Sequence, residues 1–469
     1  MRAAPTAAPK TSTASAEESL LTVMWTGWSV PAAPTAAQKT ALEVSAEESL
    51  KRAAATVAQA DVMLLLTGAG WSADSGLAVY RDVANVEAYR ARGVDYADLC
   101  DPELQDDDAE LFMGFWGRCF NDYRDTQPHE GYATIRRWRD EHFAGTETAR
   151  RMARHHRNGE RKREDEGEGE GEEQPASFFS FTSNVDAHHL RIFPAAEVRE
   201  CHGNSETWQC SDYECAHGRG RGAYRSGTGA CASNRWAAPA GYRFAVDATT
   251  QLASAAGPPA RAVEATRSSI GVQSFHQKNH PTCPQCGKPA RPAILMFCDG
   301  AWRDDDEQEA RWERWMASLQ QEQQARVDAW LALVAGGAVL GTTYASATNY
   351  PDGTQPLRIA IMEVGAGENV TTIRNLAEAT LRNLSGSGSH PTLIRINPEL
   401  PLADSLHNQP AVISLMSRGL PAVRSFFLSF NRNQSSKQAS KQASPRRAAE
   451  RFRLDGCARM LIRFCTQRS

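Results

Sequence analysis

No stretch of the chain supplies the roughly twenty consecutive apolar residues that a membrane helix needs. The nearest candidate, 329–350, is free of charge. Its apolar half stops near Leu340 and runs on into Thr342, Thr343, Ser346, Thr348 and Asn349, so it reads as the end of a buried helix. An excess of basic charge is also missing: 52 Lys and Arg stand against 56 Asp and Glu, a net charge of −4. Nothing in that balance calls for nucleic acid or a membrane surface. A paired cysteine framework is absent too, because 11 cysteines in 469 residues are odd in number and unevenly spaced. That excludes a small disulfide-stapled secreted fold and points to reduced thiols with a metal site among them. An intracellular protein is expected, in cytoplasm or nucleus rather than mitochondrion. The acid-free start MRAAPTAAPKTSTAS shares some features of a transit peptide but reads as a disordered tail.

Against those absences stand 41% hydrophobic and 8% aromatic residues, enough for two or three domains. The stretch around which the rest is arranged is VMLLLTGAGWSADSGLAVYR, Val62 to Arg81. Its apolar head has the length of a buried strand and empties into Gly68, Ala69 and Gly70. Such a turn lets backbone approach a pyrophosphate, and a helix opening from Ser72 would turn free N–H groups toward an anion. Gly68, Gly70 and Ala73 also fit the general G-x-G-x-x-A fingerprint of dinucleotide sites.

Residues 1–50 contain a duplication, with 1–44 expected as a disordered head: AAPTAAPKT at Ala3 returns as AAPTAAQKT at Ala32, and SAEESL recurs at Ser15 and Ser45. The first copy lacks the glycine turn, and little order is expected of it. Ser45 with Glu48 makes a capping box for a helix leading to the Val62 strand. The aromatic and acidic segment from Tyr89 to Tyr123 is expected to form amphipathic helices over a ligand, a mobile cover. Residues 145–176 form a charged surface insertion, a basic block followed by an acidic one. Further strands are expected at 178–182, just before Cys201, and at 293–297, 358–364 and 392–396. Helices are expected at 304–333 and 375–384, and a long loop over most of 216–282. From Asn431 the chain is polar, basic and of low complexity: a disordered tail, or a nuclear-import patch. Alternating strands and helices imply an α/β fold, a doubly wound parallel sheet with ligands at the strands' carboxyl ends.

Cys210 and Cys215 in one knuckle, with Cys283 and Cys286 in CPQCG, have the spacing of a closed four-thiolate zinc site. Such a site is structural, and Gly287 lets the second knuckle curl. Cys201 and Cys231 are spare candidates for the place of Cys215.

With GAGWSADSG, TSNVD, HG and paired cysteines in this order, the chain resembles the sirtuin (Sir2) family of NAD-dependent protein deacylases, over about Lys51 to Pro398. GAGWSADSGLAVYR is similar to the family's cofactor loop, TSNVDAHH to its TQNIDxLH segment, ECHG to its catalytic histidine motif, and RPAILMFCDG to the strand and turn that grip the acyl-lysine peptide. EVGAG and RIN are similar to its GTS and IN elements at the adenosine end. The resemblance implies NAD contacts from Gly68, Ala69, Gly70, Ser72, Tyr80, Arg81, Ser183, Asn184, Asp186, Gly365, Ala366, Gly367 and Asn397. It implies zinc on the four cysteines, acyl-lysine proteins or peptides as partners, and His202 as general base, with Gly203 leaving room for the ribose. His189 matches a site-lining histidine, and His188 is expected at the surface.

The chain also departs from the pattern. Leu77, Ala78, Val79 and Tyr80 stand for IPDF, Ser183 for the glutamine of TQN, GAG for GTS, and Cys298 with Asp299 for the end of FGE. The implied order is a dinucleotide-binding domain at 45–200 and 293–430 with a zinc module at 201–292 and a tail at 431–469. Asn184 and Asp186, one residue apart on an extended segment, can project to one side; they also fit an Asx turn capping the next helix. NAD hydrolysis or mono-ADP-ribosyl transfer on the same fold remains open, as does a non-catalytic NAD- and zinc-binding scaffold. A dehydrogenase predicts an acid after a second strand about 20 residues beyond the glycines, whereas Asp95 and Asp98 follow no apolar strand.

Overall fold

The computed structural model describes residues 33–79, 81–158, 174–212, 235–262, 270–336, 350–351 and 353–426. Order begins earlier than the sequence suggested. Helix α1 (Ala36–Gln59) is capped by Thr35, whose hydroxyl accepts from the Gln38 amide while the Gln38 side chain accepts from the Thr35 amide. Ser45, expected as the cap, lies inside this helix and donates to the Ala41 carbonyl at 2.9 Å. Ser-x-x-Glu fits a capping box and a helix interior alike, since serine can satisfy itself on the preceding turn. Residues 36–44 therefore belong to the folded part rather than to the chain's loose head.

Strand β1 (Val62–Thr67) is buried throughout, and a single short turn of helix, α2 (Ala69–Ala73), follows it. Next come α3 (Ala109–Asp125), β2 (Phe178–Thr182), β3 (Val198–Glu200), β4 (Gly203–Cys210), β5 (Arg235–Ala237) and β6 (Ala290–Ile294). The chain continues with α4 (Asp306–Ala335), β7 (Arg358–Val364), α5 (Thr372–Ser385), β8 (His390–Ile396) and β9 (Val412–Leu415). Six strands form one parallel sheet in the order β3-β2-β1-β7-β8-β9. The order turns back on itself at β1, which places the switch point of a doubly wound sheet beside the Gly68 turn. Alternate residues of β1 serve two cores. Met63 and Leu65 pack with Ala53, Val57 and Trp138 on one face, and Val62, Leu64 and Leu66 with Trp312, Trp315 and Leu381 on the other.

A third core lies off the sheet. The antiparallel strands β5-β4-β6 contribute Trp208, Trp236 and Ile294, which pack with Phe112, Phe115, Trp116 and Phe120 of α3. The aromatic segment expected to be a mobile cover is thus half of the core of a small subdomain. The strand expected at 293–297 ends at Ile294 and pairs with β4. The loop expected over most of 216–282 carries β5 and a helix at Ile270–Phe275. The charged insertion begins as a helix, Glu147–Asn158, tied to α4 by the Arg326 guanidinium on the Thr148 hydroxyl at 2.9 Å. Residues 159–173 of that insertion, the first copy of the N-terminal duplication, the Gly- and Thr-rich stretch after Gly336 and the basic tail lie outside the described residues. Among the described residues no helix is long and apolar enough to cross a membrane.

Candidate functional site

Because β1 and β7 are parallel neighbours, the loops that follow them leave the sheet side by side. The Gly68 amide donates to the Val364 carbonyl at 3.0 Å and the Gly70 amide to the Gly365 carbonyl at 2.9 Å. A Cβ on Gly68 would stand 2.8 Å from the Ala366 Cα, and one on Gly70 would stand 2.7 Å from the Gly365 Cα. These glycines are required where one backbone crosses another, not by a left-handed turn: φ at Gly68 is −111°. The helix they introduce starts at Ala69 rather than Ser72 and lasts five residues. Across the crossing, Asn397 donates to the Ala366 carbonyl at 2.7 Å and accepts from the amides of Glu399 and Leu400. Beneath it, Arg395 is paired with Glu363 at 2.8 Å, both fully buried, and Arg374 donates to the Leu400 carbonyl at 2.9 Å. Gly365, Ala366 and Asn397 therefore build the sheet's carboxyl edge, and a Cβ on Gly367 would meet open space.

Between that edge and the small subdomain runs a cleft of about 220 Å³. Three successive strands of the sheet feed it: Ala69 and Ser72 after β1, Ser183, Asn184 and Asp186 after β2, and His202 after β3. Leu77, Phe115, Trp116, Ile294 and Met296 form the opposite wall. Ser72 Oγ donates to Asp186 Oδ2 at 2.5 Å, and the other oxygen of Asp186 accepts from the His188 amide at 2.9 Å. Asp186 is thus both the Asx-type cap foreseen as an alternative and part of the cleft wall. The Asn184 backbone amide is anchored on Thr182 Oγ1 at 3.0 Å, while its side-chain Nδ2 is buried without a hydrogen-bond partner.

His202 is half-buried in the same wall. Its Nε2 lies 3.3 Å from Thr372 Oγ1, at the first turn of α5, and its ring also meets the Ser183 carbonyl. Loss of solvent around the ring, helped by the charge of Arg199, lowers its pKa to about 4. The imidazole is therefore neutral through the physiological range. Thr372 carries no motif and was invisible in the sequence. Gly203 has φ of +71°, and a Cβ there would stand 1.8 Å from the Ala293 carbonyl oxygen. The glycine is required by the β4–β6 pairing.

The neighbouring histidines have other duties. His188 is fully buried rather than at the surface, its amide on Asp186. His189 does not line the cleft: it bridges Thr67 Oγ1 at 2.9 Å and Ser180 Oγ at 2.7 Å, tying β1 to β2. Glu200, just before the Cys201-His202 pair, is buried against Asn204, and burial pushes its pKa up to about 8. Arg81 opens a short helix, Arg81–Ala84, and Tyr80 lies outside the described residues.

The sulfurs of Cys210, Cys283 and Cys286 lie within 4.8 Å of one another, with Cys210 and Cys286 at 3.6 Å. Four sulfurs at about 2.3 Å from one zinc ion would be about 3.8 Å apart, so the three thiols have the spacing of such a shell. Gly287, at φ of +73°, sends its amide back to the Cys283 carbonyl and closes the knuckle. Cys215 and Cys231 lie outside the described residues, and Cys201 is buried in the core on the α4 side of the large sheet. Nearby, Asp299 makes two bonds to the buried Arg291 guanidinium, fixing the turn that departs from FGE. A larger open groove of about 770 Å³, bordered by Arg118, Asn121, Phe244 and Gln251, holds none of the foreseen site residues.

No protein-family model and no curated protein matches the chain. Among solved structures, it is similar to a Sir2 homologue in complex with NAD, at 14% identity and a TM-score of 0.39, over 82% of this chain and 93% of that one. It is similar to a mutant Sir2 homologue with ADP-ribose, at 14% and 0.39, over 83% and 98%. It is also similar to a Sir2 protein bound to a propionylated peptide, at 13% and 0.37, over 80% and 95%.

Proposed function

We propose that this chain is an NAD-dependent protein-lysine deacylase that releases nicotinamide and transfers the acyl group to ADP-ribose. The observation that supports the reading is the meeting of Ser72, Asn184, Asp186 and His202 in one cleft at the sheet's switch point. The donor set suits NAD: a buried carboxamide nitrogen on Asn184 without a partner matches a ligand carbonyl, and an unpaired buried donor is costly unless something fills it. When bound, NAD supplies an electrophilic ribose carbon for the acyl-lysine amide oxygen. In this reading Asn184 orients the nicotinamide carboxamide. Asp186, held by Ser72, keeps a fixed carboxylate beside it. His202, neutral and half-buried, takes up a proton from a ribose hydroxyl. Gly365, Ala366, Gly367 and Asn397 shape the adenosine end, with Tyr80 and Arg81 proposed to close over the cofactor.

Cys210, Cys283 and Cys286 are proposed to hold zinc, with Cys215 as the fourth ligand. Zinc in such a site contributes on the order of 10 kcal/mol of apparent folding energy, and its closed shell leaves no position for reaction. The test is incubation with NAD and an acetyl-lysine peptide, followed by mass spectrometry. Free nicotinamide, deacylated peptide and acylated ADP-ribose together are expected. Nicotinamide with an untouched peptide would instead mean NAD hydrolysis or ADP-ribosyl transfer.

A further inference from the structure

The main chain at His202 is fixed from two sides. The Cys201 amide donates to the Thr182 carbonyl at 2.9 Å, and the His202 carbonyl accepts from the Leu295 amide at 2.9 Å. The imidazole beyond it can still turn about its side-chain bonds, and either edge of the ring carries a nitrogen. Among the described residues a single side chain is hydrogen-bonded to that ring: Thr372, whose Oγ1 lies 3.3 Å from Nε2.

Thr372 stands where a hydroxyl can be kept still. It opens α5, and the two residues after it, Ile373 and Arg374, are each 1% exposed. The Arg374 guanidinium is tied to the Leu400 carbonyl at 2.9 Å and to the Asp404 carboxylate at 3.1 Å, which pins the first turn. The β-branch of threonine restricts its χ1 further. Threonine at a helix start commonly spends its hydroxyl on the free amides of its own helix. Here Thr371, the cap residue, makes no such bond and accepts from Asn375 Nδ2 at 3.1 Å. The Thr372 hydroxyl, among the described hydrogen bonds, goes to His202 alone.

The neutral ring of His202 has one N–H and one lone pair, and the bond made at one nitrogen decides which is which. We infer that Thr372 is a positioning residue for His202: its hydroxyl on Nε2 keeps the ring in one orientation and one tautomer, so that the same edge meets each ribose hydroxyl. The consequence for turnover rests on the deacylase reading, while the state of the ring can be measured without turnover.

The full chain, its histidines labelled with nitrogen-15, is compared with Thr372→Val, which keeps the shape and loses the hydroxyl, and with Thr372→Ser, which keeps the hydroxyl. The ring nitrogens of His202, identified as the signals lost in His202→Ala, are expected to show one tautomer in the parent and in Thr372→Ser and a mixture in Thr372→Val. With NAD and an acetyl-lysine peptide, kcat for nicotinamide release is expected to fall about threefold to tenfold in Thr372→Val with KM for NAD unchanged, and to recover in Thr372→Ser. Identical His202 signals in the parent and Thr372→Val, a parent-level kcat in Thr372→Val, or a loss that Thr372→Ser does not restore overturns the inference. A parent that releases no nicotinamide removes the deacylase reading, and the nitrogen signals alone then decide whether Thr372 holds the ring.

Discussion

Ser72 and Asp186, 114 residues apart in sequence, share a hydrogen bond of 2.5 Å inside the cleft. It joins the loop after β1 to the loop after β2, and it leaves Asp186 with one oxygen on a hydroxyl and the other on the His188 amide. Ser72→Ala removes the hydroxyl. A hydrogen bond to a charged group contributes about 1.5–3 kcal/mol, so nicotinamide release is expected to fall about tenfold to a hundredfold. The circular dichroism spectrum should stay as in the parent. Unchanged release would show that the bond serves folding only.

His202→Ala is expected to lower turnover by about 10² to 10⁴ while NAD binding and the melting temperature stay close to the parent's. Calorimetric titration with NAD separates the two effects. A variant that turns over at the parent rate would take His202 out of the reaction.

His189 and His202 both have pKa values lowered to about 4 by burial, as does His129. The unfolded chain binds protons at these rings below about pH 6.5 while the folded one does not. Their contribution is therefore fully present above that pH and is lost as the pH falls toward 4. Glu200 has the opposite slope: its folded pKa of about 8 lies above the ordinary value, so its cost to stability grows as the pH rises from about 4.5 to 8. Glu200→Gln is expected to melt higher than the parent at pH 8 and to lose that margin near pH 5. Thermal scans at four or five pH values check both slopes, and a Glu200→Gln margin that does not change with pH would contradict the second.

Much of this architecture could be read from the chain because its signals are local. The apolar run into Gly68 and the TSNVD segment mark the ends of β1 and β2, and CPQCG marks a knuckle. Other features depend on partners distant in sequence. Strand β4 reads GNSETWQC, polar by composition, and exists through antiparallel pairing with β6. The need for glycine at 68 and 70 comes from a loop almost 300 residues away, so the residues could be singled out while their reason could not. Thr372 and Arg374 sit at a helix start with no motif, and only the fold brings them to His202 and to the Leu400 carbonyl. Thr35 and Gln38 did carry a capping signature, but an identical pattern at Ser45 competed with it.

Gly203→Ala puts a methyl group where the Ala293 carbonyl oxygen already lies and forces an L-residue to φ of +71°. Overpacking of this kind typically costs about 1–3 kcal/mol, and the strained φ adds to it. A drop of several degrees in melting temperature is expected. A sugar-facing role would instead weaken NAD binding with no loss of stability.

Removal of zinc by a strong chelator is expected to unfold the small subdomain, seen as a red shift in tryptophan emission from Trp208 and Trp236, which pack beside Cys210 and Cys283 in its core. Cys283→Ser should reproduce the shift and lower bound zinc from one per chain to a trace. Cys215→Ser should do the same if Cys215 is the fourth ligand. A protein that contains no zinc and melts identically with and without chelator would contradict the site.

The central claim is that one cleft, floored by three strands of the parallel sheet, couples NAD cleavage to deacylation. Its most direct measure is the ratio of products from NAD and an acetyl-lysine peptide in a single mass-spectrometric time course. One nicotinamide for each deacylated peptide and each acylated ADP-ribose, at every time point, is the predicted result. Nicotinamide that accumulates at the same rate with the peptide left out, and with its acyl group intact when present, would contradict it.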